Sequence, residues 1–142
     1  MESPLITVIT VSYNAASSIE QTIISVINQT YPHIEYIIID GGSTDNTVDI
    51  IKKYADKISY WVSEPDKGIY DAMNKGIKIA AGKYTLFMNV NDTFYASSSI
   101  AEVCNLMEKY DSQHDAYYGN VAVSNEYGLY LSLIHISEPT RP

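Results

Sequence analysis

The chain has 142 residues, of which 46% are hydrophobic and 18% charged, a composition typical of one globular domain with a single buried core. Its net charge of -8 argues against nucleic acid as a partner, because proteins that bind nucleic acid normally present a basic surface to the phosphates. The single cysteine excludes an internal disulfide framework and a cysteine-based zinc site, and the lack of a long apolar run or a secretory leader predicts a cytoplasmic protein.

The first elements along the chain are a buried strand and an amphipathic helix. Leu5 to Val11 is a continuous apolar run rich in β-branched residues, which is typical of a strand buried on both faces in a parallel sheet. Ser17 and Glu20 have the spacing of a capping box and predict a helix that ends near Gln29. A second apolar strand, Tyr36 to Ile39, leads into another helix.

The same alternation continues to the end of the interpretable sequence. The remaining predicted elements are a strand at Ile58 to Val62, a helix at Ile69 to Ala80 that Gly82 ends, a strand at Tyr84 to Met88, a helix at Ser98 to Tyr110, and strands at Ala116 to Tyr118 and Val121 to Val123. Repeating strand and helix units of this length predict an α/β fold, a three-layer α/β/α sandwich around a mostly parallel sheet.

Polar residues follow three of the predicted strands. Ser12 to Asn14 come after the first strand, Asp40 ends the second, and Asn89 to Asp92 follow the fourth. In parallel sheets ligands bind beyond the carboxyl ends of the strands, so these residues can converge on one crevice for a diphosphate and its metal. An aspartate after a strand can equally be a turn former, but Gly41 and Gly42 beside Asp40 would let a ligand approach the backbone closely.

Four segments in order resemble the successive motifs of the family 2 glycosyltransferases, which are inverting enzymes with the GT-A fold. These segments are Val8 to Asn14 (VITVSYN), Ile37 to Thr47 (IIIDGGSTDNT), Ser63 to Gly76 (SEPDKGIYDAMNKG) and Lys83 to Asp92 (KYTLFMNVND). The resemblance is strongest to the bacterial branch that builds exopolysaccharide, O-antigen or capsule. It implies transfer of a sugar from a nucleotide-diphosphate sugar, with UDP the expected nucleotide, to a saccharide or lipid-linked acceptor at the inner face of the cell membrane.

The resemblance also implies roles for particular residues. Tyr13 and Asp40 occupy positions where the family contacts the nucleotide base, and Asp66 and Asn91 occupy positions near the nucleotide. Asp92 stands at the last position of the metal motif, where a carboxylate binds the divalent ion that bridges the two phosphates. Mn²⁺ or Mg²⁺ is the implied cofactor, because a hard cation held by one or two carboxylates neutralises the departing diphosphate.

The sequence departs from the commoner family pattern at two positions, and two other residues have alternative interpretations. Gly41 and Asn91 stand where many relatives have an acid, which leaves the base selectivity and the metal affinity open. Asp66 could instead be a turn acid that pairs with Lys67. Lys75 could approach a phosphate or be an ordinary solvated lysine of a helix.

The general base that an inverting transfer requires has no counterpart in this sequence. No acid between Thr93 and Tyr130 lies in a recognisable motif, so the catalytic residue is unassigned. Leu131 to Pro142 (LSLIHISEPTRP) resembles a translated sequencing adaptor, with a genuine strand as the alternative. We therefore predict a nucleotide-sugar-binding part at residues 1–130, truncated at its C-terminus and inactive alone, and a non-native tail at residues 131–142.

Two other function classes remain open at this point. A non-catalytic nucleotide-binding module would not require the absent base. A nucleotidyltransferase would share the sheet architecture, but it is expected to carry a basic, glycine-rich loop after the first strand, and Ser12 to Ser17 contains no lysine or arginine.

Overall fold

The computed structural model describes residues 3–109, 121–125 and 128–132, and it divides into two compact units, residues 1–101 and 102–142. The elements in chain order are β1 (Ile6–Ser12), α1 (Ile19–Ile27), β2 (Ile34–Asp40), α2 (Thr47–Lys53), a 3-10 turn (Ala55–Lys57), β3 (Tyr60–Ser63), α3 (Ile69–Ile79), β4 (Tyr84–Phe87), α4 (Ser99–Lys109), β5 (Val121–Asn125) and β6 (Gly128–Ser132). Strands and helices alternate as far as α4, as the hydrophobic pattern predicts.

Strands β1 to β4 form one sheet in the order β3-β2-β1-β4, and each neighbouring pair is parallel. This arrangement confirms the predicted α/β fold with a parallel sheet. The register brings the last residues of three strands into one row, since Ser12 lies opposite Asp40 and Asp40 lies opposite Ser63. The carboxyl ends of β1, β2 and β3 therefore meet at one edge of the sheet.

Helix α3 packs against the sheet through its smallest residues. Ala72 and Gly76 are buried, and a Cβ atom at Gly76 would lie only 2.8 Å from Ile9 Cγ2 on β1. The larger apolar residues of this helix are less buried, because Ile69 and Ile77 are 52% and 49% exposed. The close approach centres the contact on the small residues and leaves the bulky ones at its margins.

The predicted capping box at the start of α1 is wrong. The N-cap residue is Ser18, which makes no side-chain capping bond. Glu20 instead accepts hydrogen bonds at Oε2 from Tyr54 Oη (2.8 Å) and Lys53 Nζ (3.0 Å). The Glu20 carboxylate therefore makes tertiary hydrogen bonds and not the local capping bond. These bonds connect α1 to the end of α2.

Gly82 has a different role from the predicted helix stop. Helix α3 ends at Ile79, and its C-cap, Ala80, already has an extended conformation. A Cβ atom at Gly82 would lie 2.5 Å from Thr7 Oγ1 and 2.6 Å from Thr7 N, so no larger residue fits unless the backbone moves. The glycine allows the chain to pass close to β1 on its way into β4.

Strands β5 and β6 pair in antiparallel fashion, with Val121 opposite Ser132. The predicted strand at Val121 to Val123 is confirmed and extends to Asn125, whereas the one at Ala116 to Tyr118 lies outside the described residues. Strand β6 crosses residue 130, and the origin of residues 131–142 stays a prediction. Among the residues that the structure describes, no helix is long and apolar enough to cross a membrane.

Candidate functional site

Asp40 is the centre of a hydrogen-bond network at the row of strand ends. Its side chain is fully buried, at 0% exposure. Oδ1 accepts from the hydroxyls of Ser12 (2.7 Å) and Ser43 (2.6 Å). Oδ2 accepts from the Ser63 hydroxyl (2.7 Å) and from the backbone N–H groups of Gly42 (3.1 Å) and Ser43 (2.8 Å). One carboxylate thus holds together the ends of β1, β2 and β3.

The protonation state of Asp40 follows from this network. Burial alone would raise the pKa of its carboxyl group, but the hydrogen bonds from Ser43, Ser12 and Ser63 outweigh burial and lower the pKa below its usual value. Asp40 is therefore an ionised carboxylate held by serine hydroxyls and backbone N–H groups. Its predicted contact with a nucleotide base stays a prediction, whereas its part in shaping the strand ends follows directly from the geometry.

The loop after β1 is fixed to the loop after β2 by Asn14. This residue has a left-handed backbone with φ of 46°, a conformation that asparagine tolerates better than most residues. Its N–H donates to Ser43 Oγ (2.8 Å), and its Oδ1 accepts from the N–H of Thr44 (2.8 Å). The preceding side chain, Tyr13, is left 63% exposed at the carboxyl end of β1.

A cavity of about 640 Å³ opens above these strand ends, and we call it the strand-end cavity. Its lining consists of Val11, Ser12, Tyr13, Gly41, Gly42, Pro65, Asp66, Gly68, Ile69 and Ala72. Ser12 and Gly42 donate to Asp40, so the buried carboxylate lies directly behind the lining. The volume is in the range of about 300–1,000 Å³ that is usual for small-molecule sites.

Asp66 lies against Gly41 inside this cavity. A Cβ atom at Gly41 would be 2.9 Å from Asp66 Oδ2, and Asp66 Oδ1 accepts from the N–H of Gly68 at 3.0 Å. The alternative pairing of Asp66 with Lys67 does not occur among the ion pairs of the described residues. A side chain at position 41 would meet the Asp66 carboxylate, so Gly41 makes room for it.

Asn91 and Asp92 lie in the turn after β4. Both are exposed, and the N–H of Asp92 donates to Asn89 O at 2.9 Å. Neither is part of the lining of the strand-end cavity. The structure thus brings Tyr13, Asp40 and Asp66 to one cavity and places the two residues of the metal motif outside its lining. In the part of the chain that the structure describes, no group of three or more His, Cys, Asp or Glu residues could hold a metal ion.

Lys75 forms ion pairs with two acids, and its approach to a phosphate stays a prediction. Its Nζ lies 3.2 Å from Glu64 Oε1 and 4.0 Å from Asp71 Oδ2, and its side chain is 27% exposed. The lysine is therefore ion-paired beside the turn that precedes α3. It does not contribute to the lining of the strand-end cavity.

Residue patterns did not indicate the hydrogen bonds that Ser12, Ser43 and Ser63 donate to Asp40, or the role of Thr22. Ser12 and Ser63 each end a strand beside Asp40, and their contact with it depends on the strand order and register, which the sequence does not show. Ser43 follows Asp40 by three residues, a spacing typical of aspartate-centred turns. Thr22 is a buried polar residue on α1 whose partners are distant in sequence, and no local pattern could have indicated them.

Comparison with known proteins gives the family. The model of the family described as Glycosyl transferase family 2 matches residues 7–137. A PGL/p-HBAD biosynthesis glycosyltransferase from Mycobacterium bovis is 32% identical over 124 residues, which cover 85% of this chain and 48% of that protein. The chain therefore spans about half the length of this relative.

Solved structures agree on the fold. The crystal structure of S. aureus TarS 1-349 in complex with UDP gives a TM-score of 0.69 at 25% identity, covering 75% of this chain and 33% of that one. Mannosyltransferase PcManGT from Pyrobaculum calidifontis, in complex with GDP-Man and Mn²⁺, gives a TM-score of 0.70 at 24% identity, covering 86% and 36%. These likenesses confirm the predicted GT-A type of α/β fold. Because the family model matches most of this chain, the chain belongs to glycosyl transferase family 2.

Proposed function

We propose that this chain forms the donor-nucleotide site of an inverting glycosyltransferase that uses a UDP-linked sugar. The observation that carries the proposal is the strand-end cavity, in which Tyr13 and Asp66 stand over the Asp40 network. Family membership and the UDP bound to S. aureus TarS support it. The proposed acceptor is a saccharide or lipid-linked saccharide of a bacterial surface glycan, and the proposed location is the cytoplasm or the inner face of the cell membrane.

The base of the nucleotide would bind between an aromatic ring and a carboxylate. Tyr13 is exposed at the rim and can stack on a planar base. The Asp66 carboxylate accepts one hydrogen bond from Gly68 and has lone pairs left for an N–H group of the base, such as the imide N–H of uracil. Asp40 would act from behind the lining by fixing the loop that contains Gly41 and Gly42. Asn91 is proposed to bond a ribose hydroxyl.

The diphosphate would need a cation, because the chain carries a net charge of -8 and Asp66 adds a carboxylate to the cavity. Asp92 is an exposed carboxylate, a hard ligand that suits Mn²⁺ or Mg²⁺. A single carboxylate fits an ion that shares its coordination sphere with two phosphates, and it does not fit a site made only of protein ligands. When bound, the metal would neutralise charge on the leaving diphosphate. The Mn²⁺ complex of PcManGT is consistent with this cofactor.

The transfer step also needs a general base for the acceptor hydroxyl, and that residue is unassigned. A non-catalytic nucleotide-binding module therefore stays the second candidate. Sugar release from UDP-sugars in the presence of candidate acceptors separates the two when it is measured on a protein whose native sequence continues past Tyr130, since a transferase turns over and a module only binds. For the present chain we propose binding without transfer.

Titration calorimetry with UDP tests the proposed donor site directly. We expect UDP to bind at least about tenfold more tightly with Mn²⁺ than without it, a difference of about 1.4 kcal/mol. UMP is the matched control, because it lacks the second phosphate that would share the ion. ADP tests the base. Absence of UDP binding in both conditions, or equal affinity for ADP, would contradict the proposal.

Replacing Gly41 with alanine should weaken UDP binding without unfolding the chain. The new Cβ would displace the Asp66 carboxylate, which can swing away, and Gly41 does not need a left-handed backbone. We expect about a tenfold loss of UDP affinity, the size of one charge-assisted hydrogen bond of about 1.5 kcal/mol, with little change in melting temperature.

The matched control is Gly42→Ala, since Gly42 has a φ of 83°. That change should lower the free energy of unfolding by about 1–3 kcal/mol through backbone strain. If Gly41→Ala bound UDP with the affinity of the parent, Asp66 would not be a hydrogen-bond acceptor for the base.

A further inference from the structure

One face of helix α1, together with a residue just beyond its end, holds the backbone of the segment that follows β4. Thr22 and Ser25 are three residues apart, so they lie on the same side of the helix, and Gln29 follows the last helical residue, Ile27. Ser25 Oγ accepts from the N–H of Phe94 at 3.3 Å. Gln29 donates through Nε2 to Ala96 O (2.8 Å), and its Oε1 accepts from the N–H of Ile100 (3.0 Å).

Thr22 is the member of this face that holds the turn bearing the metal motif. Its side chain is fully buried, at 0% exposure. Oγ1 lies 2.8 Å from both Val90 O and Asp92 O and 3.4 Å from Asn89 O. A threonine hydroxyl has one proton, so carbonyl oxygens from both sides of Asn91 converge on a single donor. The backbone of the turn is thereby drawn against α1, while the side chain of Asp92 stays exposed.

We propose that Thr22 is a positioning residue for the Asp92 carboxylate. This inference rests on the proposed function, because it assigns Thr22 a part in metal-dependent donor binding. Thr22 is buried and would touch neither nucleotide nor metal, and it acts by fixing the carbonyl groups of Val90 and Asp92. Among the described residues, no hydrogen bond or ion pair orients the exposed Asp92 carboxylate, so its direction depends on the backbone that carries it. Residues that orient metal ligands from behind typically change metal affinity by about 10–100-fold.

Calorimetry of UDP with and without Mn²⁺ on Thr22→Val tests the inference. Valine keeps the shape of threonine but offers no proton to the three carbonyl groups. We expect the gain in UDP affinity that Mn²⁺ confers to fall by about tenfold, while the affinity measured without metal stays at the parent value. Thr22→Ser retains the hydroxyl and should restore most of the gain.

Thr10→Val is the matched control for general destabilisation. Thr10 is also a fully buried threonine, and its hydroxyl bonds to Tyr36 Oη at 2.9 Å, away from the metal motif. This variant should keep the parent gain from Mn²⁺ even if its melting temperature falls as far as that of Thr22→Val. Should Thr22→Val fail to fold, Thr22→Ala removes the hydroxyl without placing a methyl group against the carbonyl oxygens, and the same outcome is expected.

The possible failures can be told apart. A parent chain whose UDP affinity does not respond to Mn²⁺ would overturn the proposed metal role and this inference together. A parent that responds, with a Thr22→Val variant that responds equally, would overturn this inference alone. An equal loss in Thr10→Val, or no recovery in Thr22→Ser, would also overturn it, because the effect would then not depend on the Thr22 hydroxyl.

Discussion

Replacing Asp40 with alanine is expected to lower the free energy of unfolding by about 4 kcal/mol. The change removes the acceptor of five hydrogen bonds, donated by three serine hydroxyls and two backbone N–H groups. Each buried donor that is left unsatisfied costs about 1–3 kcal/mol, and water entering the space would satisfy some of them. Asp40→Asn should lower the free energy of unfolding by about 2 kcal/mol. The amide keeps one acceptor oxygen, but its NH2 group faces protein donors in place of the second carboxylate oxygen.

Urea denaturation measures both effects, provided that the slope of the transition is unchanged. Asp56→Ala is a suitable control, since Asp56 is an exposed acid in the 3-10 turn and its loss should change the free energy of unfolding by less than about 0.5 kcal/mol. An Asp40→Ala variant within 1 kcal/mol of the parent would show that the network does not stabilise the strand ends.

The same carboxylate should leave a signature in the pH dependence of stability. Because the pKa of Asp40 is lower in the folded chain than its usual value, its stabilising contribution is fully present above that usual value and is lost as the pH falls through the folded pKa. The difference in unfolding free energy between parent and Asp40→Asn should therefore be constant from about pH 5 to 7 and shrink below about pH 4. A difference that grows on acidification would contradict this assignment.

Replacing Asp92 with alanine should remove the metal dependence of UDP binding. Asp92 is the one residue to which we assign a metal-ligand role, and a hard cation loses that assigned carboxylate ligand in the variant. The gain in UDP affinity on adding Mn²⁺ should fall by at least about tenfold, while the metal-independent affinity, which depends on Tyr13 and Asp66, stays close to the parent value.

Calorimetry of parent and variant in the same buffer provides the measurement. Asp56→Ala again serves as the control, because it removes one negative charge from an exposed site in the 3-10 turn. If Asp92→Ala retained the metal-dependent binding of the parent, Asp92 would not be the metal ligand.

Much of the fold could be predicted because the strands are strongly patterned. Buried β-branched runs such as those that form β1 and β2 have few alternatives to a parallel sheet, and the polar residues that end them fall at one edge by topology. Only the structure shows that the isoleucines of α3 are exposed and that the capping box does not form. In both cases a tertiary contact decided the outcome, close packing at Gly76 in one and the Glu20 to Tyr54 bond in the other.

The sequence indicated several residues of the candidate site, but it did not indicate the contacts that arrange them. Motif order indicated Tyr13, Asp40 and Asp66, and the structure places them at or directly behind one cavity. That Gly41 makes room for Asp66 depends on a distance between two loops, and that Thr22 holds the Asp92 turn depends on contacts nearly 70 residues apart in sequence. Relations of this kind arise from how the elements pack, and neither periodicity nor local spacing encodes them.

We propose above all that UDP binds in the strand-end cavity with its diphosphate directed towards Asp92. Amide NMR spectra recorded during titration with UDP and Mg²⁺, and then with traces of Mn²⁺, test it residue by residue. We expect the nucleotide to shift the signals of Tyr13, Gly41 and Gly68, and Mn²⁺ to broaden most strongly those of Asn91 and Asp92. Shifts confined to another surface, or broadening centred elsewhere in the chain, would contradict the assignment of this cavity as the donor site.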